Sequence, residues 1–219
     1  MAEGTFIVLE GIDGSGTTTQ VRRLVGALKT RGILAHQTRE PSDGPVGLML
    51  RQVLTGRLVV PSPEGPKQPS WASLALLFSA DRIDHCEAEI IPSLQAGVTV
   101  VSDRYYHSTI AYQSLASDDP TGAAEWIRTL NARARRPDLT IVLDVPGDVA
   151  AERRAARAGQ AEIFDDLAFQ SKLAAFYRSF PQRLAGERIT MIDGTGSEDD
   201  VHRAVVSAVG AVEATRGRA

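Results

Sequence analysis

Apolar residues recur along this chain in two patterns. Five short runs are apolar with little polar alternation: Phe6-Ile7-Val8-Leu9, Ala35 to Thr38 (the weakest), Val98-Thr99-Val100-Val101, Thr140-Ile141-Val142-Leu143 and Ile189-Thr190-Met191-Ile192. Most are β-branched, and short unbroken runs of this kind predict strands of a parallel sheet buried on both faces. Between them the apolar spacing is helical. Thr18 to Arg31 places Val21, Leu24, Val25 and Leu28 on one face and stops at Gly32, a C-terminal signal. Further helices are predicted over Val46–Thr55, Ser70–Gln95 (kinked or ended by Pro92), Gly122–Arg135, Val149–Ala158, Leu167–Leu184 and Glu198–Ala214. Strands alternating with helices imply right-handed βαβ units, hence an α/β fold with an open parallel five-stranded sheet and helices on both faces. Pro61 to Pro69, with prolines at 61, 63, 66 and 69, reads as a loop between two helices. One domain over residues 1–214 with a frayed tail over 215–219 is expected.

Composition narrows the class. A chain of 219 residues suits one α/β domain, and 43% hydrophobic residues supply a full core. Lys and Arg number 24 against 27 Asp and Glu, a net charge of −3 that speaks against nucleic-acid or membrane-surface partners. A lone cysteine, Cys86, excludes an internal disulfide and a cysteine zinc site. His36, His85, His107 and His202 show no metal-ligand spacing. No apolar run approaches the roughly 18 residues of a membrane span. Met1-Ala2-Glu3-Gly4 leads straight into the first strand, so a cytoplasmic protein without a secretory signal is expected.

Four groups of residues carry candidate chemistry. The first strand runs into Glu10-Gly11-Ile12-Asp13-Gly14-Ser15-Gly16-Thr17-Thr18-Thr19-Gln20, where a helix opens. Against the phosphate-loop pattern G-x-x-x-x-G-K-[ST], Gly11, Gly16 and Thr18 fit, while Thr17 stands where a lysine is expected. Backbone N–H groups over Gly11, Ile12, Asp13, Gly14, Ser15, Gly16, Thr17 and Thr18 can wrap an anion at the positive end of the helix. Thr18 can offer its hydroxyl to Mg²⁺. Asp103, closing the third strand, sits where strand ends line a ligand crevice, able to order Mg²⁺ or take a proton, and Arg104 beside it can hold a phosphate bidentately. Phe78 and Arg82, four residues apart, share a helix face on which a base can stack and be read. Arg153, Arg154 and Arg157, followed by Gly159, Glu162, Asp165 and Asp166, look like a basic lid over residues 153–166 that closes on phosphates.

Together these segments resemble the thymidylate kinase family of P-loop nucleoside monophosphate kinases. The resemblance also takes in Thr38-Arg39-Glu40-Pro41, Arg51, Asp103-Arg104-Tyr105, Ala111-Tyr112-Gln113 and Pro137 to Asp144. It implies in-line transfer of the ATP γ-phosphoryl to dTMP with Mg²⁺ as cofactor, a P-loop NTPase-type sheet and a homodimer of packed helices. It further implies Phe78 stacking on thymine, with Arg82 and Thr109 at its polar edge. Arg51 and Arg104 would hold the acceptor phosphate, Asp13 the deoxyribose 3′-OH, Tyr112 the space beside C2′, and Gln113 the same pocket, with Tyr105 in support. Gly14 occupies the place of a loop arginine found in one branch of the family. In the other branch the lid supplies it, which points here to Arg154 or Arg157, catalytic together with Asp103. The missing lysine removes a charged hydrogen bond of about 1.5–3 kcal/mol, roughly ten- to a hundredfold in rate. An impaired or rewired kinase is therefore expected. A nucleotide-binding relative with little or no turnover, and a kinase for another deoxynucleotide, are the alternatives.

Overall fold

The computed structural model describes residues 3–156, 164 and 166–216. Its sheet holds five parallel strands, β1 (Phe6–Gly11), β2 (Ala35–Arg39), β3 (Thr99–Asp103), β4 (Leu139–Asp144) and β5 (Ile189–Asp193), in the order β2-β3-β1-β4-β5. The expected open parallel sheet is thus present. Phe6 pairs with Val100 and Ile7 with Leu139, so β1 lies in the middle and its carboxyl end opens between β3 and β4. That is the crevice where open α/β sheets take their ligands.

Strand alternation divides the core between the two faces. Phe6, Val8, Val100 and Val142 pack beneath α3 (Trp71–His85), α5 (Tyr106–Leu115), α6 (Pro120–Leu130) and α8 (Leu167–Arg178). Ile7, Leu9, Val101 and Ile141 face α1 (Thr17–Thr30) and α10 (Glu198–Arg216). The edge strands β2 and β5 are only partly buried, which is why their sequences carry the weaker pattern. The remaining helices are α2 (Pro45–Leu54), α4 (Ile91–Gln95), α7 (Gly147–Ala155) and α9 (Phe180–Arg183).

Three expectations change in detail. Ser70 caps α3, and the long helix expected over 70–95 widens into a π-helical turn at Cys86–Ile90 before α4. Pro92 cannot donate to the preceding turn and its ring crowds that turn's carbonyl. The wide turn takes up the mismatch, so Pro92 sits in the first turn of α4 instead of ending the helix. The segment 167–184 divides at Ser179 ahead of Pro181. α6 starts two residues early, with Asp119 accepting from the Gly122 N–H and Pro120 in its first turn, and stops at Asn131. One helix, α5, has no counterpart in the sequence pattern: Tyr106, His107 and Thr109 through Ser114 are all buried. Without a polar face it shows no amphipathic period.

Candidate active site

The loop after β1 owes its shape to its glycines. Gly16 caps α1 at φ 98°, a backbone conformation that strains any side chain, and no side chain among the described residues caps the N–H groups of the first turn. Those groups stay available to an anion. Gly14, at φ 88°, lies under α7: a Cβ there would come within 2.4 Å of the Ala150 carbonyl oxygen. An arginine at position 14 therefore has no room. Ser15 N–H closes the loop on the Ile12 carbonyl at 3.0 Å. Thr17, in the lysine's place, is buried as the first residue of α1.

Two arginines bracket this loop. Arg154 on α7 donates to the Asp13 carbonyl, and Arg104 donates from Nη1 to the Gly11 carbonyl at 2.9 Å. Thr18 and Asp103 are brought together as expected, the hydroxyl donating to Oδ2 at 2.5 Å. Asp103 Oδ1 is buried and has no partner among the described residues. Arg157, Gly159, Glu162 and Asp165, and with them most of the expected lid, lie outside the described residues.

Beside the loop lies a cavity of about 310 Å³, lined by Asp13, Glu40, Arg51, Phe78, Arg82, Arg104, Thr109, Tyr112, Gln113 and Phe164. Every residue expected on the acceptor side therefore reaches one space. Asp13 is its hub. Oδ1 accepts from Arg104 at 2.5 Å, and Oδ2 from the Tyr112 hydroxyl at 2.9 Å and Gln170 at 3.1 Å. The Asp13 carboxylate thus faces this cavity, and its share in the phosphate loop is its backbone. Burial raises the Tyr112 phenol far above its ordinary value, so the hydroxyl remains a donor.

Arg104 adopts a left-handed backbone at φ 72°, a conformation that costs on the order of 1–3 kcal/mol outside glycine. The neighbouring backbone is held by Glu10, which is fully buried. Its carboxylate accepts from the Tyr105 N–H at 2.8 Å, the Ser108 hydroxyl at 2.6 Å and the Tyr177 hydroxyl at 3.0 Å. Burial raises the Glu10 pKa, opposed by nearby His107 and Arg104. Arg51 is steered by the Pro41 carbonyl at 2.6 Å and by Asp43 at 2.9 Å.

Arg82 differs from the free edge reader that its helix face suggests. It is 1% exposed, lies over the Tyr105 ring, and gives most of its N–H groups to Glu40, Thr109 and Asn131. Among these partners Glu40 lies inside a segment that the resemblance marks. Gln170 and Asn131 carry no local signal, since each meets its target across a long separation. On the other side of the loop, a cleft of about 250 Å³ runs between Gly16, Arg153 and Gly194, with Arg153 donating to the Gly194 carbonyl at 2.9 Å. A loop of backbone donors thus separates two spaces, a larger one lined by aromatic rings and arginines and a smaller one between the loop, Arg153 and Gly194.

The family model for thymidylate kinase matches residues 9–205 of the chain. A probable thymidylate kinase of Pyrococcus abyssi is 34% identical over 206 residues, covering 94% of this chain and 96% of the relative. A probable thymidylate kinase of Thermococcus onnurineus is 39% identical over 209 residues, covering 93% and 96%. A thymidylate kinase of Sulfurihydrogenibium sp. is 33% identical over 206 residues, covering 94% and 97%.

Proposed function

The chain belongs to the thymidylate kinase family, and from that premise we propose that it passes the γ-phosphoryl of ATP to the phosphate of dTMP with Thr17 in place of the loop lysine. The observation that carries this reading is the cavity at the carboxyl ends of β1 and β3, where a base-stacking ring, arginines and the Asp13 carboxylate face one space. Phe78 stacks on thymine, and Arg82 with Thr109 answers its polar edge. Asp13 accepts from the 3′-OH, and Tyr112, fixed by its bond to Asp13, fills the space that a 2′-OH needs. Gln113 helps to line the same pocket. Arg51 and Arg104 hold the acceptor phosphate so that its oxygen faces the donor across the loop. Little covalent chemistry falls to the protein; alignment and fixed positive charge supply the rate.

The backbone N–H groups from Gly11 to Thr18 cradle the donor phosphates. A divalent ion fits beside them: Thr18 and Asp103 are hard oxygen donors in contact, and the buried Asp103 Oδ1 has no partner among the described residues. When bound, Mg²⁺ neutralises charge on the donor phosphates. Arg154, already on the loop through the Asp13 carbonyl, supplies the cation that Thr17 lacks, with Arg157 as the second candidate from the lid.

A homodimer forms part of the same reading. Leu48 and Met49 on α2, Leu76 on α3 and Trp126 on α6 are exposed, and Trp126 packs edge-on against Trp71 at 5.6 Å. No helix among the described residues is long and apolar enough to cross a membrane. A cytoplasmic setting without a nucleic-acid partner is proposed on the strength of the substrates and the net charge of −3.

ADP release from Mg-ATP in the presence of dTMP, dUMP, dCMP, thymidine and UMP tests the reading. The expected order is dTMP first, dUMP within the about 1–3 kcal/mol that one methyl group is worth, and UMP, dCMP and thymidine far behind. Best turnover with dCMP or thymidine would assign the chain to another acceptor. Thr17 itself favours the second reading, a nucleotide-binding relative with little turnover, which a lack of ADP release with every one of these acceptors would support.

A further inference from the structure

The guanidinium of Arg82 is held in an uneven way. Arginine carries five N–H donors and accepts nothing. Nε and Nη2 both donate to the same carboxylate oxygen, Glu40 Oε2, at 2.8 and 2.6 Å. The other oxygen, Oε1, faces His85 at 3.3 Å. Two bonds to one oxygen fix the distance of the fork but leave it free to pivot about that oxygen, unlike a two-oxygen clamp. Two further contacts stop the pivot: Nη2 to the Thr109 hydroxyl at 3.1 Å, and Nη1 to Asn131 Oδ1 at 2.6 Å.

Asn131 is well placed to stop it. It is the residue on which α6 ends, and it is buried. Its amide orientation follows from chemistry. Arg82 can only donate, so Oδ1 must face it, while Nδ2 donates back to the Ile127 carbonyl at 2.8 Å. With these four bonds made, a single N–H on Nη1 remains without a partner among the described residues, and Arg82 lines the acceptor cavity.

We infer that Asn131 is a positioning residue for base choice. By locking Arg82 against Glu40, it aims the one remaining N–H at a ring position that must carry an acceptor. A 4-keto pyrimidine, thymine or uracil, meets it with an oxygen. A 4-amino pyrimidine brings two hydrogens to a donor that can neither accept nor turn away, so both polar groups stay buried and unpaired. A loosely held arginine would swing aside and tolerate the amino group. The lock at Asn131 thus converts a general cation into a keto reader. This rests on the acceptor assignment proposed above.

The test is equilibrium binding of dTMP and dCMP to the full chain by titration calorimetry, which does not depend on turnover. Asn131→Ala should lower the dCMP/dTMP ratio of Kd values by about tenfold, chiefly because dCMP binds better. Asn131→Asp keeps an oxygen for Arg82, whose charge answers the new carboxylate, and gives up the bond to the Ile127 carbonyl, so it should hold that ratio within about twofold of the natural protein. Equal loss of the ratio in both variants would make Asn131 a helix cap and nothing more. An unchanged ratio in Asn131→Ala would overturn the inference outright. Failure of the natural protein to bind dTMP would instead sink the acceptor assignment. Should Asn131→Ala not fold, the guanidinium resonances of Arg82 in the natural protein decide. Separate, slowly exchanging Nη signals are expected with dTMP bound, and one averaged signal would refute the lock.

Discussion

A lysine restored at position 17 should make Arg154 partly dispensable, because both would serve the same phosphates. Thr17 is the first residue of α1, so a lysine there extends from the loop itself. Arg154 comes from α7 and touches the loop at the Asp13 carbonyl. Position 14 offers no alternative site for a cation, since the Ala150 carbonyl would lie 2.4 Å from a Cβ there. One charge-assisted hydrogen bond to a phosphate is worth about 1.5–3 kcal/mol, roughly ten- to a hundredfold in rate. In the natural protein Arg154→Ala should therefore lower kcat by about one to two orders of magnitude. In the Thr17→Lys background the same change should cost about tenfold less, a coupling of about 1.4 kcal/mol in a double-mutant cycle. Initial rates of dTDP formation at saturating ATP and dTMP give all four corners, and Arg154→Lys checks that charge matters beyond packing on Gly14. Strict additivity of the two changes would refute the compensation.

Asp103→Asn should lower kcat more than it raises KM, and Arg104→Ala should chiefly raise KM for dTMP; steady-state kinetics with equal small effects from both would return these residues to capping and surface roles. Tyr112→Ala should admit UMP, so the dTMP/UMP ratio of kcat/KM should fall while dTMP turnover persists, and an unchanged ratio would remove Tyr112 from sugar choice. Glu40→Gln leaves buried Arg82 without its carboxylate and should destabilise the fold by about 3–5 kcal/mol in urea unfolding. Stability should also depend on His85. Burial opposes its charge, but hydrogen bonds to Glu40 and Glu89 outweigh this and raise its pKa from 6.5 to about 9. A raised folded-state value means stabilisation that is whole below pH 6.5 and lost as the pH climbs through 9. Tm should fall over that window in the natural protein and stay flatter in His85→Gln; parallel curves would refute the assignment.

Much of this fold and site is legible in the sequence. The run Phe6 to Leu9, the glycines after it and the amphipathic Thr18–Arg31 stretch give strand, loop and helix in order, because each local preference agrees with the fold. The acceptor residues Arg51, Phe78, Arg104 and Tyr112 do share one cavity. What escaped is of two kinds. Elements without a solvent face give no period, which hides α5, whose residues from Thr109 to Ser114 are all buried. Partners far apart in sequence leave no local trace. Arg82 reads as a helix-face arginine beside Phe78, yet its state is set by Glu40, 42 residues before it, and Asn131, 49 residues after. The hold of Gln170 on Asp13 spans 157 residues. Arg154 was expected in a lid, and its contact with the loop backbone shows only in three dimensions.

The central claim is that the chain, with Thr17 as it stands, transfers phosphoryl groups to dTMP. Single-turnover incubation of the natural protein in excess over Mg-ATP labelled at the γ-phosphate, with dTMP present, tests it most directly. Label should appear in dTDP, at a rate that Thr17→Lys leaves unchanged or raises. No label in dTDP from the natural protein, with transfer appearing only in Thr17→Lys, would contradict it.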